Sequence, residues 1–256
     1  METESELIRL QNTLYSSKNP TRRWLHTSRR DWITSKIEYY AGKRENKNAM
    51  ETGIGAGVYL PCLCSNFEHV TAIDINDSYL NHAATAYPEL SNLSLIKDSI
   101  TDSKLGSDSF DLILCTEVIE HIDRSHSGAA VSELHRLLRP DGILILSTPQ
   151  PYSPLELAQK AAYKPLIIDI VKKIYNAPVL EAGHINLMNE KRLVKLLRDK
   201  GFEISDTYKS GVYLPVIAEF TGSYGLCLAK WIERKIRGGI LDCLLWTQYY
   251  VARASK

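Results

Sequence analysis

From residue 48 onward, short apolar runs alternate with longer segments of helical periodicity, and this alternation constrains the fold more than any other feature of the chain. Parallel strands need long crossover connections, usually helices, so the rhythm specifies an α/β fold with a largely parallel sheet and helices on both faces. The expected strands are 49–51, 70–74, 93–96, 110–115 and 143–147, with helices over 58–67, 77–87 and 128–138 between them. Pro140 is expected to stop the last helix, and Asp141-Gly142 to turn the chain. After an interruption the pattern resumes with Asn189 as N-cap, a helix over 190–200, a stop at Gly201 and a strand over 202–207, and residues 248–252 supply a last strand-like run.

Three segments stand outside this rhythm. Residues 21–41 predict a helix closed by a glycine C-cap at Gly42, followed by a polar linker, so that 1–44 reads as an N-terminal helical lid. Within the main domain, 45–256, helical inserts are expected at 149–188, which contains Pro165 and Pro178, and at 212–246. With 31 Lys and Arg against 30 Asp and Glu, duplex nucleic acid is not an expected partner, because that binding rests on clustered cations. No apolar run approaches the ~20 residues needed to span a bilayer, and the N-terminus is acidic, without a visible signal peptide. The five cysteines read as free thiols of a cytoplasmic protein; Cys62 and Cys64 are core residues or, on a sharper reading, adjacent zinc ligands.

The first strand runs into Glu51-Thr52-Gly53-Ile54-Gly55-Ala56-Gly57. Glycine admits positive φ and close approach of a ligand to the backbone. The spacing is G-x-G-x-G, with Val58 where the dinucleotide fingerprint places its third glycine, which disfavours NAD. Glu51, two residues before the first glycine, suits a cationic ligand better than a pyrophosphate. Asp74 ends the second strand, where a carboxylate can accept from both hydroxyls of a ribose, and Asp98 follows the third, where one can accept from an adenine amino group beside Ser99. Each aspartate alone can equally be a helix N-cap.

ETGIGAG, AIDIND, IKDSI, FDLILCTEVIEHI, LHRLLRPDGILILSTP and GHINLMNEKRLVKLLRDKGFEI together resemble consecutive motifs of the class I S-adenosylmethionine-dependent methyltransferases over about residues 45–208. The resemblance implies a Rossmann-like seven-stranded sheet with its last strand antiparallel. It implies S-adenosylmethionine held by Glu51, Gly53, Gly55 and Gly57 at the methionine part, by Asp74 and Ile75 at the ribose, and by Asp98 and Ser99 at the adenine, with Thr116 and Glu117 completing the site. Thr52 departs from the usual apolar residue, at a position whose backbone makes the turn.

If a helix starts near Thr116, then Glu117, Glu120 and His121 share one face at the carboxyl end of the fourth strand. This segment is similar to the metal-binding segment of ubiquinone-pathway and small-RNA methyltransferases, which implies Mg²⁺ or Mn²⁺ on Glu117, Glu120 and His121, with His184 as a downstream donor. Two further readings stay open: His121 or His184 as a metal-free catalytic base, and a purely structural histidine. The expected reaction is methyl transfer to a small-molecule acceptor, at oxygen before nitrogen; a non-catalytic cofactor-binding or membrane-associated interaction protein is the alternative. Arg22, Arg23, Arg29 and Arg30 read as a solvated basic face of the N-terminal helix, or as a recognition surface for a substrate anion. Residues 226–237 form an amphipathic helix expected to pack on the sheet or on another copy rather than lie on a membrane.

Overall fold

The computed structural model describes residues 13–43, 48–162 and 184–256. Among these, one sheet contains β1 (Asn48–Thr52), β2 (His69–Asp74), β3 (Leu93–Lys97), β4 (Phe110–Thr116), β5 (Leu138–Pro149), β6 (Phe202–Ser210) and β7 (Thr247–Ala254). Their order is β3-β2-β1-β4-β5-β7-β6, and β7 runs antiparallel to both of its neighbours, as expected. The direction of winding reverses between β1 and β4, which opens a crevice at the carboxyl ends of the parallel strands. The helices are α1 (Pro20–Ala41), α2 (Leu60–Asn66), α3 (Asp77–Ala86), α4 (Ser127–Leu137), α5 (Pro154–Ala162), α6 (Glu190–Asp199), α7 (Pro215–Phe220) and α8 (Ser223–Ile236).

Successive side chains of a strand point to opposite faces, and both faces of the central strands are covered, so β4 and β5 are apolar at nearly every position. Leu112, Leu114, Ile143 and Ile145 pack against Ile33 and Ile37 of α1. Ile113, Leu144 and Leu146 pack on the other side against Val131 and Leu134 of α4 and Leu193 and Leu197 of α6. The sheet therefore has two cores, and the crevice at the strand ends lies between the helices that cover them.

Several expected boundaries move. β5 begins at Leu138, immediately after α4, so Pro140 does not stop the helix; it lies in the irregular start of the strand, where Asp141 adopts φ 61° and the register against β4 shifts. Gly42 follows α1 with a right-handed φ of −64°, its N–H donating to Glu38 O, so the cap makes no use of glycine's freedom. α2 starts at Leu60, two residues late, because the preceding residues still belong to the glycine loop. The first insert contributes α5; its residues 163–183, with Pro165 and Pro178, lie outside the described residues, as do 1–12 and 44–47. The second insert forms α7, α8 and a 3₁₀ turn over Ile240–Leu244. Cys62 and Cys64 flank the core beneath α1, and burial pushes both thiols up to about 11, which favours the packing reading over zinc thiolates. No helix among the described residues is long and apolar enough to cross a membrane.

Asn189 caps α6 as expected, its Oδ1 accepting from Arg192 N at 3.0 Å. Asn189→Ala should lower unfolding free energy by about 1 kcal/mol and Asn189→Ser should leave it nearly unchanged, read as denaturant midpoints at constant slope.

Candidate active site

The crevice contains a cavity of about 220 Å³ whose walls include Tyr15, His26, Arg29, Glu51, Tyr59, Thr116, Glu117, His184 and Trp246. Its floor is the turn after β1. Gly53, Gly55 and Gly57 all adopt positive φ, 67°, 51° and 72°. A Cβ on Gly53 would sit 2.4 Å from Val118 Cγ2, so this position requires glycine for both conformation and space.

Glu51 is 1 % exposed, and its Oε2 has no hydrogen-bond partner. Burial, reinforced by the charge of Asp74, holds its carboxyl well above the ordinary value. An uncompensated buried carboxylate beside open space calls for a cationic partner.

Asp74 accepts from Asn76 N at 2.9 Å, and the backbone N–H groups of Ile54, Gly55 and Ile75 also act on its carboxylate, which ties the glycine loop to the end of β2. The N-cap of α3 is Asn76, so Asp74 is not a helix cap. Asp98 accepts from Ser99 N, Ser103 Oγ and Lys104 N at 2.8, 2.7 and 3.1 Å; although burial works the other way, these donors hold its carboxyl below the usual range. Asp74, Ile75, Asp98 and Ser99 lie along the neighbouring strand ends and, like Gly57 of the glycine turn, do not line the cavity, whereas Glu51, Gly53, Gly55, Thr116, Glu117 and His184 do. Ile75 is left 70 % exposed at the end of β2.

The helix expected from Thr116 does not form. Thr116 ends β4, Glu117 adopts φ 55°, and only Ile119–His121 make a single 3₁₀ turn. Glu117 is thereby turned away from the face expected for it and is held by Ser147 Oγ at 2.9 Å and Arg29 Nη1 at 2.6 Å. The group of described residues whose ligand atoms lie within 4.8 Å of one another is Glu120, His121 and His184, so His184 stands in the place expected of Glu117. Glu120 is fully buried; its Oε2 accepts from Thr148 Oγ1 at 2.9 Å and its Oε1 has no partner. Burial, with the nearby Glu117 charge, raises its carboxyl well above the ordinary range. The rings of His121 and His184 stand 5.2 Å apart.

Three participants fall outside the sequence expectation. Arg29 is not part of a solvated face. It is buried in the cavity wall, stands 5.5 Å over the Trp246 ring, and its Nε has no partner. Burial opposes its charge, but Glu117 keeps the guanidinium firmly protonated, while burial followed by the Arg29 charge holds His26 well below its ordinary value and hence neutral. The signal was available: Leu25, Arg29, Ile33 and Ile37 fall at i, i+4, i+8 and i+12, which places the arginine in the buried stripe of α1. The other two are Glu156 and Trp246. Glu156 Oε2 lies 3.0 Å from His184 Nδ1, and its Oε1 accepts from Trp246 Nε1 at 3.3 Å.

Because the raised Glu51 carboxyl binds its proton more tightly folded than unfolded, its contribution to ligand-free stability is complete below the unfolded value of 4.5 and is lost as pH rises toward the folded one. Glu51→Gln should therefore melt higher than the parent near about pH 8 and at a similar temperature near about pH 4.5, measured by thermal unfolding without ligand.

A family profile described as a methyltransferase domain matches residues 24–207. A probable S-adenosylmethionine-dependent methyltransferase of Mycolicibacterium smegmatis is 24% identical over 197 residues, 77% of this chain and 66% of that protein. A ubiquinone biosynthesis O-methyltransferase of Rickettsia typhi is 30% identical over 119 residues, 46% of this chain and 47% of that protein. The chain thus spans between about half and two thirds of these two relatives. The N-methyltransferase NodS of Bradyrhizobium japonicum, solved in complex with S-adenosyl-L-homocysteine, shares the fold with a TM-score of 0.61 at 13% identity, covering 100% of this chain and 98% of that one. The profile match, extending from α1 into β6, establishes that the chain belongs to the methyltransferase-domain family, with the fold of the class I S-adenosylmethionine-dependent enzymes.

Proposed function

We propose that this chain transfers the methyl group of S-adenosylmethionine to a hydroxyl oxygen of a small-molecule acceptor. One observation carries the reading: a single cavity is bounded by an unpartnered buried carboxylate, Glu51, and by the half-buried imidazole of His184, which belongs to a cluster with buried Glu120 and exposed His121. The first suits the ammonium group of the methionine moiety, and the second suits a hydroxyl that must lose its proton.

S-adenosylmethionine supplies an electrophilic methyl group on a sulfonium, so the protein's tasks are alignment and deprotonation. Glu51 and the loop of Gly53, Gly55 and Gly57 hold the methionine part, Asp74 and Ile75 the ribose, and Asp98 with Ser99 the adenine. Asp98 retains acceptor capacity beyond the three donors it already binds, since a carboxylate accepts about four hydrogen bonds, whereas four backbone N–H groups already act on Asp74, so ribose hydroxyls there take the place of some of those contacts. Thr116 and Glu117 stand at the transfer end of β4, where Glu117 holds Arg29 in the wall. The cavity-facing half of α1 serves as a wall and lid on the acceptor side.

His184 is oriented at Nδ1 by Glu156, which leaves its Nε2 to accept the acceptor proton, with His121 beside it. A metal reading is favoured by Glu120 Oε1, buried without a partner among two imidazoles. When bound there, a divalent cation supplies Lewis acidity toward the acceptor oxygen. With His184 in place of Glu117 the donor set is richer in nitrogen than expected, and it fits Mn²⁺ better than Mg²⁺. The distant relationship to ubiquinone O-methyltransferases supports oxygen over nitrogen as the acceptor atom.

Asp74→Asn should weaken S-adenosylmethionine binding by roughly 1–2 kcal/mol in calorimetric titration of a folded variant, and unchanged affinity contradicts the ribose role. Mn²⁺ titration followed by electron paramagnetic resonance should show one site that Glu120→Ala removes. If no Mn²⁺ binds, the metal reading fails; His184→Ala should then slow transfer to a catechol probe by about 10²–10⁴ at neutral pH and recover partly at higher pH.

A further inference from the structure

We propose that the outer face of α7 and α8 docks onto an anionic phospholipid surface. The amphipathic helix expected over 226–237 to pack on the sheet or on another copy lies within α8, which packs against α1 and α7. Gly225, Ala229 and Glu233 are buried toward the protein, yet Tyr224, Leu228 and Trp231 are 86 %, 38 % and 55 % exposed. Tyr224, Leu228, Trp231 and Lys235 fall at i, i+4, i+7 and i+11, one continuous stripe on the outer face of the helix. The patch extends in both directions. Phe220 ends α7 at 73 % exposure, and Ile240, on the 3₁₀ turn packed against α8, is 97 % exposed. Large exposed apolar side chains are concentrated here rather than scattered, which marks an interaction surface.

Charge selects the occupant. Between residues 215 and 242 the acids are Glu219, Glu233 and Asp242, and each is taken: Glu219 by Arg22, buried Glu233 by Arg237, and Asp242 by Lys209. Among the described residues no ion pair joins the exposed cations Arg234 and Lys235 to a carboxylate, nor Lys230, which stands 5.8 Å over the Trp24 ring. A symmetric pairing of two copies through this face would set those cations against one another. An anionic bilayer surface instead complements them, while tryptophan and tyrosine settle at the level of the headgroups and the aliphatic residues enter the acyl boundary. The face also adjoins the cavity. α7 is fixed to the beginning of α1 by Asn19 Nδ2 donating to Ala218 O at 2.9 Å, next to the Leu14 and Tyr15 that line the pocket.

The test is co-sedimentation of the full chain with phosphatidylcholine vesicles, with and without phosphatidylglycerol. Binding is expected only with phosphatidylglycerol and should weaken with salt. Arg234→Gln with Lys235→Gln should weaken it roughly fivefold per charge removed, and Trp231→Ala should weaken it severalfold, with circular dichroism and S-adenosylmethionine binding unaltered because these residues lie outside the site. No binding to phosphatidylglycerol vesicles overturns the proposal, as does equal binding by the double variant. A dimer in sedimentation equilibrium that Trp231→Ala dissociates would overturn it by assigning the face to a second copy.

Discussion

At the carboxyl end of β1 a carboxylate is held out of water with one oxygen unpartnered, directly under a turn of three left-handed glycines. Such a group is costly to the ligand-free fold, and neither packing nor hydrogen bonding within the chain accounts for it. The surrounding structure is arranged to keep it there. Asp74 gathers loop N–H groups and ties the turn to the end of β2, and Val118 occupies the space that a side chain at position 53 would need. The candidate site is thus held in shape by contacts within the chain, the condition for preorganised binding.

The opposite wall is assembled from elements distant in sequence. Ser147 from β5, Glu117 after β4, Arg29 from α1 and Trp246 before β7 form one chain of contacts, in which the left-handed backbone at Glu117 sets its carboxylate between Ser147 and Arg29. A second chain of contacts runs from Trp246 through Glu156 to His184. The first ties α1 to the sheet, and the second joins the end of the second insert to both ends of the first. The arrangement explains why α1 belongs to the same folding unit as the strands: its lower half fills the core through Ile33 and Ile37, while its upper half lines the cavity through His26 and Arg29.

The sheet was legible in the amino-acid sequence because strands covered on both faces are apolar throughout, and their helices end at polar or glycine-containing turns. Strand ends were read short, most at β5, where Pro140 and Asp141-Gly142 carry the signature of a turn but lie in an irregular strand start. Glu51, Asp74 and Asp98, the candidate ligand-binding acids, stand at the strand ends where the sequence places them. The segment after β4 was misread because a helical pattern of Glu117, Glu120 and His121 depends on helical backbone, and a single residue at φ 55° breaks it. His184 was recognised as a companion of His121, whereas Glu156 was not, since its pairing arises from tertiary contact between the start of the first insert and its end. Arg29 was hidden by its neighbours: Arg22, Arg23 and Arg30 suggest a charged surface, and only register with Leu25 and Ile33 separates it from them.

A crystal structure of the chain with S-adenosylhomocysteine bound tests the central claim most directly. The account predicts the amino group of the product on the unpartnered oxygen of Glu51, its ribose hydroxyls on Asp74, and its sulfur facing the side of the cavity that holds His184. Product bound elsewhere, or a Glu51 carboxylate still unpartnered in the complex, would contradict it.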